Sequence, residues 1–323
     1  MSNLEQHPDE DVIITTVADG TEILEPREVP LGGQRALLVR RTLPQRARSL
    51  IGAWCFADSF GPTQAPAART MDTRPHPHTG LQTVSWLYAG KLEHRDSVGS
   101  LAHIVPGQVN LMTAGRGIQH SEVSTEDARS LHGVQLWVAL PEASRWTQPL
   151  FEHYMPSPVL HGDATVRVFL GELLGQSVPL TTFSPLVAAQ VDVPAGGEVR
   201  LPVNPAFEHG LLVDAGRPVL NGVEVGADQL CYVPPGSAEL VVRAGDAAVR
   251  ALLIGGEPLG EQIVMWWNFV GRSHDEIVSF RQEWQSEVIG EADPEGRFGV
   301  VSGYDGDPLP APVLPNARLQ PRH

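Results

Sequence analysis

A chain of 323 residues is long enough for two domains, each with its own core. Its composition is 42% hydrophobic without an apolar run of membrane-spanning length, and its formal charge of −15 sets it against nucleic-acid phosphates and anionic membrane surfaces. The opening MSNLEQHPDEDV lacks a basic end followed by an apolar stretch, so no signal peptide is expected. The two cysteines, Cys55 and Cys231, are far apart and outside any CxxC pair, which suits a reduced cytoplasmic setting.

In chain order, residues 1–10 are polar and expected to be loose. Val12 to Val17 reads as an edge strand, and Arg35 to Thr42 as a strand with Leu37 and Val39 on one face. Arg40, Arg41, Arg46 and Arg48 read as a solvated basic face paired with the chain's many acids rather than as an anion site. Next comes His76-Pro77-His78, and further on His120-Ser121-Glu122. Residues two apart on a strand share a face, so each pair aims two donors at one point. Three imidazoles and a carboxylate form a four-donor set for a divalent transition metal. A His-x-His alone is as readily a surface or core pair. The second pair, following the turn Ala114-Gly115-Arg116-Gly117, is what turns the pattern into a candidate site.

Extending the strand parity of His76 and His78 past Leu81 places Gln82, Val84 and Trp86 on the same face, so Gln82 is expected beside the metal. Ala89-Gly90 turns, Leu92 to Asp96 returns as a strand, and Gln108 to Thr113 is another. His94 and His103 read as hydrogen-bonded structural histidines, and His132 as part of a barrel strand.

The blocks HPHTGLQTVSWLYAGKLEHRDS, PGQVNLMTAGRGIQHSE and GVQLWVALP, over residues 74–141, resemble the pirin family of the cupin superfamily. A looser likeness runs from about Arg40 to Phe269. The resemblance implies an all-β chain of two cupin (jelly-roll type) β-barrels, with one metal in the N-terminal barrel. It carries the metal ligands onto His76, His78, His120 and Glu122. At Gln82 the chain departs from the Glu of many pirins, which leaves Glu122 as the one carboxylate of the motif.

Residues 141–160 are Pro-rich and read as the connection between domains. Beyond them LLVDAG (211–216) echoes VSWLYAG (84–90), and GADQLCYVPPG (226–236) echoes GQVNLMTAG (107–115), a weak repeat. The second copy keeps only His209, with Glu208 beside it on the opposite face, so it is read as a barrel without a metal site. Ser273 and Glu276 form a capping box, and Ile277, Phe280, Trp284 and Val288 follow at helical spacing, predicting a helix over 274–288. Trp266 and Trp267 read as core, and residues 291–323 as an extended or mobile tail. The expected division is 1–145 for the metal-binding cupin, 155–270 for the second cupin, and 271–323 for the helix and tail.

Neither a Ser-His-Asp nor a Cys-His nucleophile pattern is visible, and the Gly-Arg-Gly at 115–117 lacks the Lys or helix start of a phosphate loop. The donor set can hold Fe, Ni, Mn, Cu or Zn and does not itself choose among them; Fe(II) is the ion expected first. The resemblance implies a dioxygenase opening a flavonol such as quercetin, with Glu122 as ligand and catalytic proton acceptor and a small aromatic molecule as substrate. Two other readings stand beside it: a metal- or redox-sensing regulator with a protein partner, and a purely structural metal barrel.

Overall fold

The computed structural model describes residues 14–31, 37–64 and 71–322. The polar residues 1–10 and the expected strand starts Val12 and Arg35 lie outside that range; the strands themselves are described as Ile14–Thr16 and Leu37–Leu43.

Each half of the chain sets a large antiparallel sheet against a four-stranded one. In the first half the large sheet runs, neighbour to neighbour, through Leu150–Tyr154, Val109–Thr113, Leu81–Ala89, Ser130–Ala139, Trp54–Gln64, Leu37–Leu43 and Arg27–Leu31. Its small sheet is Asp72–His78, Ile118–Ser124, Leu92–Asp96 and Leu101–Ile104. The second half repeats the plan. Leu230–Val233, Glu208–Ala215, Val249–Gly256 and Leu186–Val193 follow one another in its large sheet, and Glu198–Pro202, Glu239–Arg243, Val219–Leu220 and Val223–Glu224 in its small one. The chain is therefore a mostly β bicupin of jelly-roll type. Among the described residues the two sheets of each half are separate rather than joined into a closed barrel.

The sheets cross the expected division in two places. Ile14–Thr16 and Glu22–Leu24 extend the large sheet of the second half, through pairing of Glu22–Leu24 with Leu230–Tyr232. Leu150–Tyr154, inside the Pro-rich connection, is an added strand of the first half's large sheet.

Strand alternation sorts the side chains into layers. On Leu81–Ala89, Val84 and Trp86 face the other half of the molecule, where they share one core cluster with Phe169, Leu170, Leu186, Leu212 and Leu252. Trp86 stacks on Phe169 at 4.4 Å and donates Nε1–H to Gln190, while Trp54 donates Nε1–H to the Gly255 carbonyl. The opposite residues, Leu81, Thr83, Ser85 and Leu87, face the interior of the first half.

The basic residues near 40 pair with acids, as expected, but three of them are not a solvated face. Arg41 is buried in a bidentate bond to Asp58; Arg40 and Arg48 reach Asp228 and Glu22. Arg41 tolerates burial because its guanidinium meets a fixed carboxylate, while Arg40 and Arg48 stay half-buried. The helix spans His274–Trp284, followed by a π-turn over Gln285–Ile289, and Ser273 Oγ accepts the Glu276 N–H. Beyond it the tail is extended but packed. Phe298 is fully buried against Trp284, and the strap ties to the outer side of the small sheet. Its bonds there are Arg74 to the Asp307 carbonyl, the Leu309 N–H to the Pro75 carbonyl, and Tyr304 to Asp72. Trp266 and Trp267 are half-buried beside Phe269, in the cluster that the helix covers. No helix of the described residues is long and apolar enough to cross a membrane.

Candidate metal centre

Both expected pairs lie on adjacent strands of the small sheet of the first half. Asp72–His78 pairs with Ile118–Ser124 so that His76 sits opposite His120. The register slips between His120 and Glu122, leaving an extra residue on the first strand near Arg74-Pro75, where proline has no N–H to donate. On its other side Ile118–Ser124 pairs with Leu92–Asp96, placing Glu122 opposite His94 and His120 opposite Asp96.

The donors converge. His76, His78 and His120 have ligand atoms all within 4.8 Å of one another, and so do His94, His120 and Glu122. His120 is common to both groups; the structure joins Glu122 to the cluster through His120 and His94. His78 Nε2 and His120 Nε2 lie 3.1 Å apart. His76 holds its Nδ1 against the Arg74 carbonyl at 2.8 Å. A carbonyl only accepts, so His76 carries its hydrogen on Nδ1 and presents a bare Nε2, which has no hydrogen-bond partner. Glu122 Oε2 is likewise buried without a partner. Burial holds all three rings well below the ordinary histidine range; for His78 and His120 the neighbouring imidazoles add to it. Three neutral imidazoles with converging lone pairs, beside an unpaired carboxylate oxygen, are what a divalent cation requires.

Gln82 is not where parity placed it. Its Nε2 donates to Thr113 Oγ1 and to the Thr181 carbonyl, on the face turned to the second half. The cause is Gly80: its φ of +68° breaks the strand after His78, so the inward parity restarts at Leu81. Ser85 takes the place expected of Gln82, with Oγ 3.2 Å from Glu122 Oε1 and 2.9 Å from Gln135 Oε1. One hydroxyl has one hydrogen, so both contacts hold together only with the Gln135 amide nitrogen turned to Ser85 and Ser85 donating to Glu122. Asn110, Ser85, Gln135, Asp58 and Arg41 lie side by side across five strands, a polar row between the apolar clusters at either end of the interior. Trp137 meets His78 edge-on at 5.2 Å and stacks on Phe56 at 4.0 Å.

His94 is hydrogen-bonded, as expected, through Nε2 to Asp96 at 3.0 Å, but it belongs to the cluster, which its i, i+2 pairing with Asp96 could have signalled. His103 is exposed, and His132 lies on Ser130–Ala139, bonded to Asp214 of the other half. In the second half the strands that correspond in sheet order, Glu198–Pro202 and Glu239–Arg243, bury the aliphatic Val199, Leu201, Leu240 and Val242. His209 stands on Glu208–Ala215, the counterpart of the Leu81–Ala89 strand rather than of the ligand strands.

Comparison with known proteins matches this picture. The model of the pirin family covers residues 36–138, and that of the pirin C-terminal cupin domain residues 188–290. A Pseudomonas aeruginosa protein named "Putative quercetin 2,3-dioxygenase" is 39% identical over 90% of this chain and 89% of its own length. A pirin-like protein of Caulobacter vibrioides is 36% identical over 85% of this chain and 94% of its own. The crystal structure of a quercetin 2,3-dioxygenase from Acinetobacter baumannii is 38% identical and superposes with a TM-score of 0.85, covering 92% of this chain and 96% of that one.

Proposed function

The chain belongs to the pirin family of bicupins, and on that premise we propose that it is a metal-dependent dioxygenase acting on a flavonol such as quercetin. His76, His78, His120 and Glu122 are its proposed ligands, and Fe(II) its proposed ion, with Ni, Mn, Cu or Zn as alternatives. The observation that carries the reading is the set of partnerless buried lone pairs, His76 Nε2 and Glu122 Oε2, beside two further neutral imidazoles. The names of the relatives at 38–39% identity supply the substrate class.

A divalent ion held there supplies Lewis acidity and redox chemistry toward dioxygen. The chain's own residues position and move protons. The Arg74 carbonyl fixes the tautomer of His76, and Ser85 pins Glu122 through Oε1, leaving Oε2 to take the hydroxyl proton of a flavonol. Trp137, edge-on to His78 and stacked on Phe56, gives the His78 side of the centre an apolar wall.

The second reading, a metal- or redox-sensing regulator, is favoured by the burial of the donors. His76 and His78 are 0% exposed and His120 and Glu122 1%, which suits a sealed centre that senses rather than turns over. Anaerobic reconstitution with Fe(II), followed by quercetin absorbance on admitting oxygen, decides between them. Bleaching above the rate of free metal supports the enzyme. Glu122→Gln keeps the side-chain size and an oxygen donor, so metal content should fall only in part while turnover per bound metal drops by roughly 10²-fold. Equal rates per metal would remove Glu122 as the base. Tight metal binding without turnover, across several flavonols and metals, favours the regulator.

A further inference from the structure

Behind His120, on the side away from His78, runs a chain of buried polar contacts that the ligand set does not use. Asp96 Oδ1 accepts two backbone N–H groups, Val98 at 3.0 Å and Ser100 at 2.9 Å, so the carboxylate cannot rotate. Its Oδ2 lies 3.0 Å from His94 Nε2. His94 Nδ1 lies 3.3 Å from His120 Nδ1, and His120 Nε2 faces His78 Nε2. The His94 ring is held flat against Phe151 at 4.4 Å, and both His94 and Asp96 are buried.

With His94 neutral, the hydrogens along this chain have one consistent arrangement; a charged His94 would donate from Nδ1 and reverse it. A carboxylate only accepts, so a neutral His94 carries its hydrogen on Nε2 and leaves Nδ1 as an acceptor. His120 must then donate Nδ1–H to it, which strips the hydrogen from His120 Nε2. We propose that Asp96 and His94 are positioning residues that fix the tautomer of His120, presenting its Nε2 lone pair to the metal centre. His94 is thereby excluded as a ligand, since both its nitrogens are engaged. The inference rests on the proposed metal centre for its purpose, but the tautomer exists in the metal-free protein.

Asp96→Asn tests this with little change of shape. The two backbone N–H groups hold the amide oxygen, which leaves the amide nitrogen facing His94. His94 must then accept at Nε2 and donate from Nδ1, so His120 accepts at Nδ1 and carries its hydrogen on Nε2, where it blocks coordination. The measurement is long-range proton–nitrogen NMR on the metal-free full chain with ¹⁵N-labelled histidine, the His120 signals being identified by their loss in His120→Gln. Wild type should show His120 protonated at Nδ1, and Asp96→Asn at Nε2, with Zn(II) affinity weakened about 10–100-fold in chelator competition. An Nε2-protonated His120 in wild type, or an unchanged tautomer and affinity in Asp96→Asn, overturns the proposal. Should Asp96→Asn fail to fold, a second pair decides. His94→Asn keeps an acceptor where Nδ1 was and should hold near wild-type Zn(II) affinity, whereas His94→Leu should lose it; equal affinities overturn the proposal. A wild type that binds no Zn(II) sinks the metal centre alone, and the NMR result still judges the tautomer.

Discussion

His209 is a buried histidine with neither ring nitrogen bonded, 1% exposed, and burial lowers its pKa to about 4. It is therefore neutral in the folded chain at mild acidity, while the unfolded chain protonates near ~6.5. As pH falls below about 6.5 the unfolded state binds a proton that the folded state refuses. Its share of stability is whole above that pH and is lost on the way down to about 4. The loss approaches roughly 3 kcal/mol at the lower end. His209→Leu should flatten this acid limb in urea denaturation compared at neutral pH and near pH 4.5, and should leave metal content as it was. An acid limb as steep as wild type would show that His209 is not the group refusing the proton. The same substitution removing a bound metal would mean that the second half holds a site after all.

At the scale of elements, the centre depends on where one strand stops and the next begins. Gly80 supplies the break with φ +68°, and a Cβ there would meet the Val270 carbonyl oxygen at 2.3 Å. Gly80→Ala thus faces both a strained backbone and a clash with backbone, and should destabilise by roughly 2–3 kcal/mol. Metal content should fall with it, because His78 and Ser85 lie on the two strands that this residue joins. A thermal midpoint within a degree of wild type would show that the break tolerates a side chain. The tail acts on the same sheet from outside: the bonds from Arg74, Pro75 and Asp72 to residues 304–309 hold the bulged stretch that aims His76.

For the whole molecule, the largest consequence is the shared core. Trp54, Val84, Trp86 and Leu136 from one half pack with Phe169, Leu186, Leu212 and Leu252 from the other. Arg40–Asp228 and His132–Asp214 add polar links across it. The halves should therefore unfold together. Denaturation followed by tryptophan fluorescence and by far-UV circular dichroism should give one coincident transition, and Trp86→Ala should lower it by about 3–5 kcal/mol without splitting it. Two resolved transitions in the wild type would show that each half is stable alone.

Alternation along single strands makes the candidate strands and the i, i+2 donor pairs legible, because a strand's period of two is a local property of the chain; the all-β two-cupin plan came with the family resemblance, and the repeat with matched sequence blocks. The capping box at Ser273 and Glu276 was legible for the same reason. What the chain order did not contain was anything set by pairing. The break at Gly80 depends on the close approach of Val270, so the inward place went to Ser85 instead of Gln82. The partnership of His94 with His120, 26 residues apart in sequence, depends on the register between their two strands. The tail reads as loose by composition, but Phe298 and Leu309 are buried only because the folded sheet offers them a surface. Local periodicity determined which residues bear donors; tertiary pairing decided which of them meet, and which neighbours hold their hydrogens in place.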